Sequence, residues 1–329
     1  MWRAIEAATH LGNLDSLENV PVFDFEWQSG IHFTMGENST MARKTEEPAD
    51  LYLQLMKACL TNVMYGDIGF RRVPPRTYWK RWVLNRFAAR GLAVVRPQRI
   101  DRSGWFDGRE WLPDAHTMIG MRRLDNLQEC IEDVLERRVP GDLIEAGVWR
   151  GGASIFMRAV LKAHGIEGRT VWVADSFQGL PSPSEEEYPA DTGDLHHTVD
   201  DLAVSLQEVR GNFERYDLLD AQVGFLPGWF RDTLPRAPIE RLALIRIDAD
   251  MYESTTNALE ALYPRLSAGG YVIVDDYGGL PAARKAVDDF RVAKGIDDEL
   301  NRIDWTGIFW RRSAGARADD REAAAPPTP

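Results

Sequence analysis

Cysteine is almost absent from this 329-residue chain: Cys59 and Cys130 are its only two, both in helix-like stretches and neither near a second ligand at metal spacing. A disulfide framework or a structural zinc site is therefore not expected. Basic residues are in deficit, with 39 Lys and Arg against 51 Asp and Glu and a formal net charge of −12. Phosphate contacts dominate nucleic-acid affinity, so no nucleic-acid partner is expected, although a local basic patch is compatible with this balance. No run approaches the roughly 20 apolar residues of a membrane span. Residues 1–30 also lack a positive end followed by an apolar run and a small-residue cleavage site, so the cytoplasm is the expected compartment. Internal repeats are missing as well. The 44% hydrophobic and 27% charged residues describe an ordinary globular protein with ample length for a core.

Residues 1–48 show no sustained periodicity, and Met41-Ala42-Arg43-Lys44 reads as a second possible start. From Ala49 the pattern turns amphipathic: Leu51, Leu55 and Cys59 share a stripe that Leu60 and Val63 widen. Residues 66–115 form an irregular segment containing a helix with Trp79, Trp82, Val83 and Phe87 on one face and Gly91 as its stop. A helix at about 120–137 repeats Leu124, Leu127, Ile131, Val134 and Leu135 before Pro140-Gly141 breaks it. Residues 49–140 are thus a helical N-terminal or lid region, and 141–312 the main domain. There, strands at 142–148, 171–176, 222–226, 242–248 and 271–275 alternate with helices near 152–164, 199–213, 253–266 and 281–294. That alternation predicts an α/β fold with a mostly parallel sheet covered on both faces. Leu300–Ile303 and Ile308–Trp310 flank Thr306-Gly307 and predict a C-terminal antiparallel hairpin. The tail 313–329 reads as disordered.

The chemistry starts at Glu145-Ala146-Gly147-Val148-Trp149-Arg150-Gly151-Gly152, where a buried strand ends in a carboxylate and glycines before a helix resumes. Such glycines admit a bulky ligand at the carboxyl edge of a sheet, beside helix N-terminal amides. The spacing is not the Gly-x-Gly-x-x-Gly of dinucleotide enzymes, which favours an adenosine-type ligand without a pyrophosphate. One βα unit later, Asp175 ends a strand where a carboxylate accepts ribose hydroxyls; capping the next turn is the plainer alternative. Asp248-Ala249-Asp250 and Asp275-Asp276 end two further strands. Acids crowded at one edge need a counter-charge, and oxygen donors with room for water suit Mg²⁺ better than zinc.

These motifs, with Ala115-His116-Thr117-Met118-Ile119-Gly120, Val173-Ala174-Asp175-Ser176-Phe177, Phe225-Leu226-Pro227-Gly228-Trp229-Phe230 and Val274-Asp275-Asp276-Tyr277, resemble the TylF/MycF family from about Met41 to Arg312. That macrocin-type family comprises sugar O-methyltransferases dependent on S-adenosyl-L-methionine and Mg²⁺. The resemblance implies a class I methyltransferase (Rossmann-like) sheet and a small-molecule glycosylated substrate such as a macrolide carrying a deoxysugar. It also implies a homo-oligomer, with residues 49–63 as one pairing surface. By position, Thr117, Met118, Glu145, Gly147, Asp175 and Ser176 would hold the cofactor. Gly228 and Trp229 would border its adenine, although Trp229 also reads as core. Asp248, Asp275 and Asp276 match the metal triad, with Asp250 in a supporting place.

The resemblance casts Asp248 as general base, and His196 and His197 are the competing base and substrate candidates in a lid after the second strand. His116 is read as a positioning residue. The main departure from the family is the longer 66–115 segment, whose arginines and aromatics read either as a substrate-facing or membrane-facing patch or as a helix docked by its aromatic face. Two other readings stay open: a catechol-type O-methyltransferase, and a scaffold that binds S-adenosylmethionine without catalysis.

Overall fold

The computed structural model describes residues 47–66, 68–73 and 77–313, and the expectations for residues 1–46 and for the tail beyond Ser313 lie outside these. The first element is helix α1 (Pro48–Leu60). Its buried face is Leu53, Met56, Lys57 and Leu60, whereas Leu51 and Leu55 are about half exposed. The expected stripe was turned because a lysine occupies a core position. The Lys57 stem is buried, and its ammonium meets Asp125 at 2.5 Å and lies 5.5 Å from the centre of the Phe156 ring.

The long 66–115 segment departs further from expectation. Strands β1 (Ile68–Arg72) and β2 (Val95–Arg99) pair antiparallel around helix α2 (Tyr78–Ala88). No residue of α2 is buried, and Trp79 and Trp82 each keep 60% exposure, so the expected docking by an aromatic face is not present among the described residues. The strands escaped sequence reading because β2 carries Pro97 and three polar residues in five. A short helix α3 (Arg102–Phe106) leads to α4 (Met121–Glu136), which has the predicted apolar face.

The main sheet contains β3 (Asp142–Ala146), β4 (Val171–Asp175), β5 (Val223–Pro227), β6 (Leu242–Ile247), β7 (Leu266–Val274), β8 (Asn301–Arg302) and β9 (Ile308–Arg311). Their order is β5-β4-β3-β6-β7-β9-β8, with β3 to β7 parallel and β9 antiparallel to both β7 and β8. Every residue of β6 is buried, as a central strand covered on both faces requires. The helices that cover the sheet are α5 (Gly152–Ala163), α6 (Leu206–Arg215), the short α7 (Phe230–Thr233), α8 (Tyr252–Leu262) and α9 (Pro281–Lys294). Successive strand residues face opposite layers: Leu143 packs with α1, α4 and α5, and Ile144 with α8 and α9.

The helix expected from residue 199 begins instead at Leu206. Ser205 Oγ accepts from the Glu208 amide at 3.2 Å, a cap in a Ser-x-x-Glu pattern, while Asp200–Leu202 makes only a tight turn. This leaves residues 176–205 as a long excursion over the carboxyl edge of the sheet. Among the described residues, no helix is long and apolar enough to cross a membrane.

Two tryptophans separate the core from the arm. Trp310 on β9 is fully buried, so Trp310→Ala should lower unfolding free energy by about 3–5 kcal/mol. Trp82→Ala should change it by no more than about 0.5 kcal/mol. Urea denaturation checks both, and equal losses would show that α2 is held as firmly as the sheet.

Candidate active site

The sheet order reverses between β3 and β6, so their connections leave toward opposite sides and open a crevice at their carboxyl ends. Gly147 turns the chain there with φ +87°. A Cβ on it would sit 1.8 Å from the carbonyl oxygen of Asp248, so any side chain would push the ends of β3 and β6 apart. The crevice holds a cavity of about 310 Å³. Met118, Gly147, Asp175, Ser176, Gly228 and Trp229, all expected at the cofactor, line it. Thr117 and Glu145, also expected there, do not. Thr117 is buried, its hydroxyl near the Ile119 amide, and the Glu145 carboxylate is committed elsewhere.

Asp175 does part of what each of its two readings asked. One carboxylate oxygen accepts from the Val148 amide and the other from the Phe177 amide, both at 2.8 Å, which staples the loop after β3 to the loop after β4. The carboxylate also lines the cavity, leaving lone pairs for a hydroxyl-bearing ligand. Ser176 fixes the same turn by donating to the Gly179 carbonyl at 2.6 Å.

Beneath the cavity lies a buried ionic network that the sequence reading missed. Arg246, near the carboxyl end of β6, donates to Glu145 and Asp275 at 2.5 Å each and to Asp248 at 3.1 Å. Arg123 on α4 reaches Asp275 from the other side and also holds Asp304 and the Thr306 hydroxyl, each at 2.6 Å. The only visible sign in the sequence was one arginine inside Leu242-Ala243-Leu244-Ile245-Arg246-Ile247, which otherwise reads as a core strand.

Asp248, Asp275 and Asp276 come together as expected, with donor oxygens all within 4.8 Å of one another. Among the described residues, Glu145, Asp248, Asp250, Asp275, Asp276 and Asp304 share two guanidinium groups, so carboxylates outnumber the arginines beside them. Burial, and then the charge of Asp275, pushes Asp248 up to about 6. Burial, and then the charge of Asp248, pushes Asp250 up to about 7. Asp276 rises well above the usual carboxylate range, by burial and by the charges of Asp248 and Asp250. Asp275 goes the other way: the two arginines outweigh its burial and hold it low. The donor set is all hard oxygen, which fits Mg²⁺; both Asp275 oxygens already accept from an arginine, so Asp248 and Asp276 are the less engaged of the three.

A second cavity of about 320 Å³ lies beyond, between residues 190–196 and Leu280, Pro281 and Ala282 at the start of α9. Asp250 lines both cavities. His196 lines the second; His197 lines neither, and its Nδ1 is buried without a partner. His116 bonds Tyr216 at 2.7 Å and lines neither.

A parallel sheet in this order, closed by an antiparallel hairpin and opening at a glycine-lined switch point, is the class I methyltransferase fold. Residues 49–312 match the macrocin O-methyltransferase (TylF) family, and the chain belongs to it. It is an O-methyltransferase, and the fold implies S-adenosylmethionine as methyl donor. One relative, 8-demethyl-8-(2,3-dimethoxy-α-L-rhamnosyl)-tetracenomycin-C 4′-O-methyltransferase of Streptomyces olivaceus, is 53% identical, covering 83% of this chain and 96% of that protein. Mycinamicin III 3″-O-methyltransferase of Micromonospora griseorubida is 46% identical over 80% of this chain and 97% of its own. The solved structure of the O-methyltransferase NovP superposes with a TM-score of 0.70 at 48% identity, covering 80% of this chain and 99% of that one.

Arg246→Met would strip the shared counter-charge from three acids and should cost about 3–5 kcal/mol in denaturant unfolding. A loss below about 1 kcal/mol would show that the acids are neutralised in another way.

Proposed function

We propose that the chain transfers a methyl group to a hydroxyl of a sugar on a glycosylated natural product, with Mg²⁺ held by Asp248 and Asp276. The observation that carries this reading is Asp250, which stands at the meeting point of the cofactor-side cavity and the second cavity. An acceptor in the second cavity would therefore meet the cofactor beside a row of carboxylates. The tetracenomycin relative's acceptor bears a rhamnosyl group, which supports a sugar over a catechol.

A sugar hydroxyl is too weakly acidic to attack unaided at neutral pH. When bound, the metal lowers the pKa of a coordinated hydroxyl and orients it. Gly147 admits the cofactor against the backbone, and Asp175 and Ser176 rigidify the loop beside it. Holding both reactants in register supplies several kcal/mol of the barrier, on the order of 7 or more in well-oriented cases. Asp248 is the expected proton acceptor. Asp250 is a second candidate, because it alone lines both cavities while Asp248 also donates a carboxylate oxygen to the metal cluster. The exposed Leu51 and Leu55 on α1 support pairing of chains into a homo-oligomer, and a cytoplasmic setting suits a soluble donor such as S-adenosylmethionine.

Calorimetric titration of S-adenosylhomocysteine and then Mg²⁺ tests the site. Asp276→Asn should keep cofactor affinity and lose the metal; metal binding that survives in this variant would refute the assigned ligands. The base is assigned by a second pair. Asp248→Asn should lose both metal affinity and activity. If Asp250→Asn keeps the metal but loses about 10²–10⁴ in kcat, proton transfer belongs to Asp250; if kcat is unchanged, it belongs to Asp248.

A further inference from the structure

The excursion between β4 and α6 is anchored where it forms the second cavity. Asp191 is buried, and its two oxygens accept from the Tyr252 and Glu253 amides at 2.6 and 2.9 Å, capping the start of α8 from a distant part of the chain. Three residues on, Asp194 grips His196 twice. One carboxylate oxygen accepts from the His196 amide and the other meets Nδ1, both at 2.8 Å. Backbone and ring are thus fixed together, and Nε2 has no hydrogen-bond partner among the described residues. His196 lines the second cavity together with Asp250, and Leu280, Pro281 and Ala282 add apolar lining. Among the described residues, no lysine or arginine lines this cavity. A neutral ligand with both hydroxyls and an apolar C–H face suits those walls; a sugar phosphate does not.

We propose that His196, oriented by Asp194, binds an oxygen of the acceptor sugar beside the one that is methylated, and so determines which hydroxyl meets the cofactor. This rests on the sugar-acceptor reading above. The bond from Asp194 favours the charged imidazole and outweighs its partial burial, and Asp250 adds to it. With Nδ1 engaged by Asp194, Nε2 is the ring atom left to bond an acceptor hydroxyl. Asp194 is a positioning residue, acting only through the ring.

The test uses the full-length protein with Mg²⁺, S-adenosylmethionine and a panel of α-L-rhamnosides, including methyl α-L-rhamnopyranoside, with products mapped by NMR. His196→Ala should raise KM for the acceptor about tenfold, the worth of one hydrogen bond. It should leave kcat within about threefold and spread the methyl group over more than one hydroxyl. His196→Gln, which keeps a donor, should recover part of the loss, and Asp194→Asn should fall between wild type and His196→Ala. Calorimetric affinity for S-adenosylhomocysteine should be unchanged in all three.

An unaltered KM and product position in His196→Ala would overturn the proposal. So would a kcat collapse at constant KM, which would make His196 the base, or a parallel loss of cofactor affinity, which would make its role structural. A wild type that methylates no member of the panel would instead overturn the sugar-acceptor reading and this inference with it.

Discussion

Arg246 carries a positive charge into the middle of a parallel sheet, a place where an unpaired ion costs several kcal/mol. It makes three hydrogen bonds to carboxylates from three adjacent strands: Glu145 on β3, Asp248 at the end of β6 and Asp275 at the end of β7. The charge is tolerable only if those strands end in register, and the acids are tolerable only if the arginine is present. Arg123 extends the same lock to α4 and to the turn before β9 through Asp304, whose other oxygen caps the Thr306 and Gly307 amides. The carboxyl edge of the sheet is thereby held rigid where its two cavities open.

That rigidity divides the acids by task. Asp275 is gripped by two guanidinium groups, one on each carboxylate oxygen. Asp276 and Asp250 have no such cation, and their raised pKa values register the repulsion. The proposed Mg²⁺ would relieve that repulsion, because it supplies the positive charge that the two arginines do not extend to these acids. Asp250 adds a backbone constraint: it holds φ +57°, uncommon for a residue with a side chain, at the point where it lines both cavities.

Outside this lock the chain behaves differently. Between Ile68 and Ile100 there is no acidic residue, although the whole chain is strongly acidic. The helix and hairpin there bury little, and an eleven-residue helix or a two-stranded hairpin draws scant stability from its own hydrogen bonds. The aromatic periodicity of α2 was legible, but periodicity reports that a face is apolar and not what covers it.

The sequence by itself determined the alternation of strands and helices, the C-terminal hairpin, the glycine turn at Gly147 and the three acids that converge. Each is a local signal: burial of a strand, the freedom of a glycine or the end of an apolar run. Only the tertiary structure decided which charged residues are interior. Lys57 and Arg246 look like surface residues until Asp125 and Glu145, 68 and 101 positions away, supply their partners. It also decided that Glu145 is held by Arg246, that Asp275 is gripped by two arginines, and that His196 and Asp250 line one cavity. Those outcomes depend on pairings between distant residues, and hydrophobic periodicity carries no information about which distant charge a buried charge will meet.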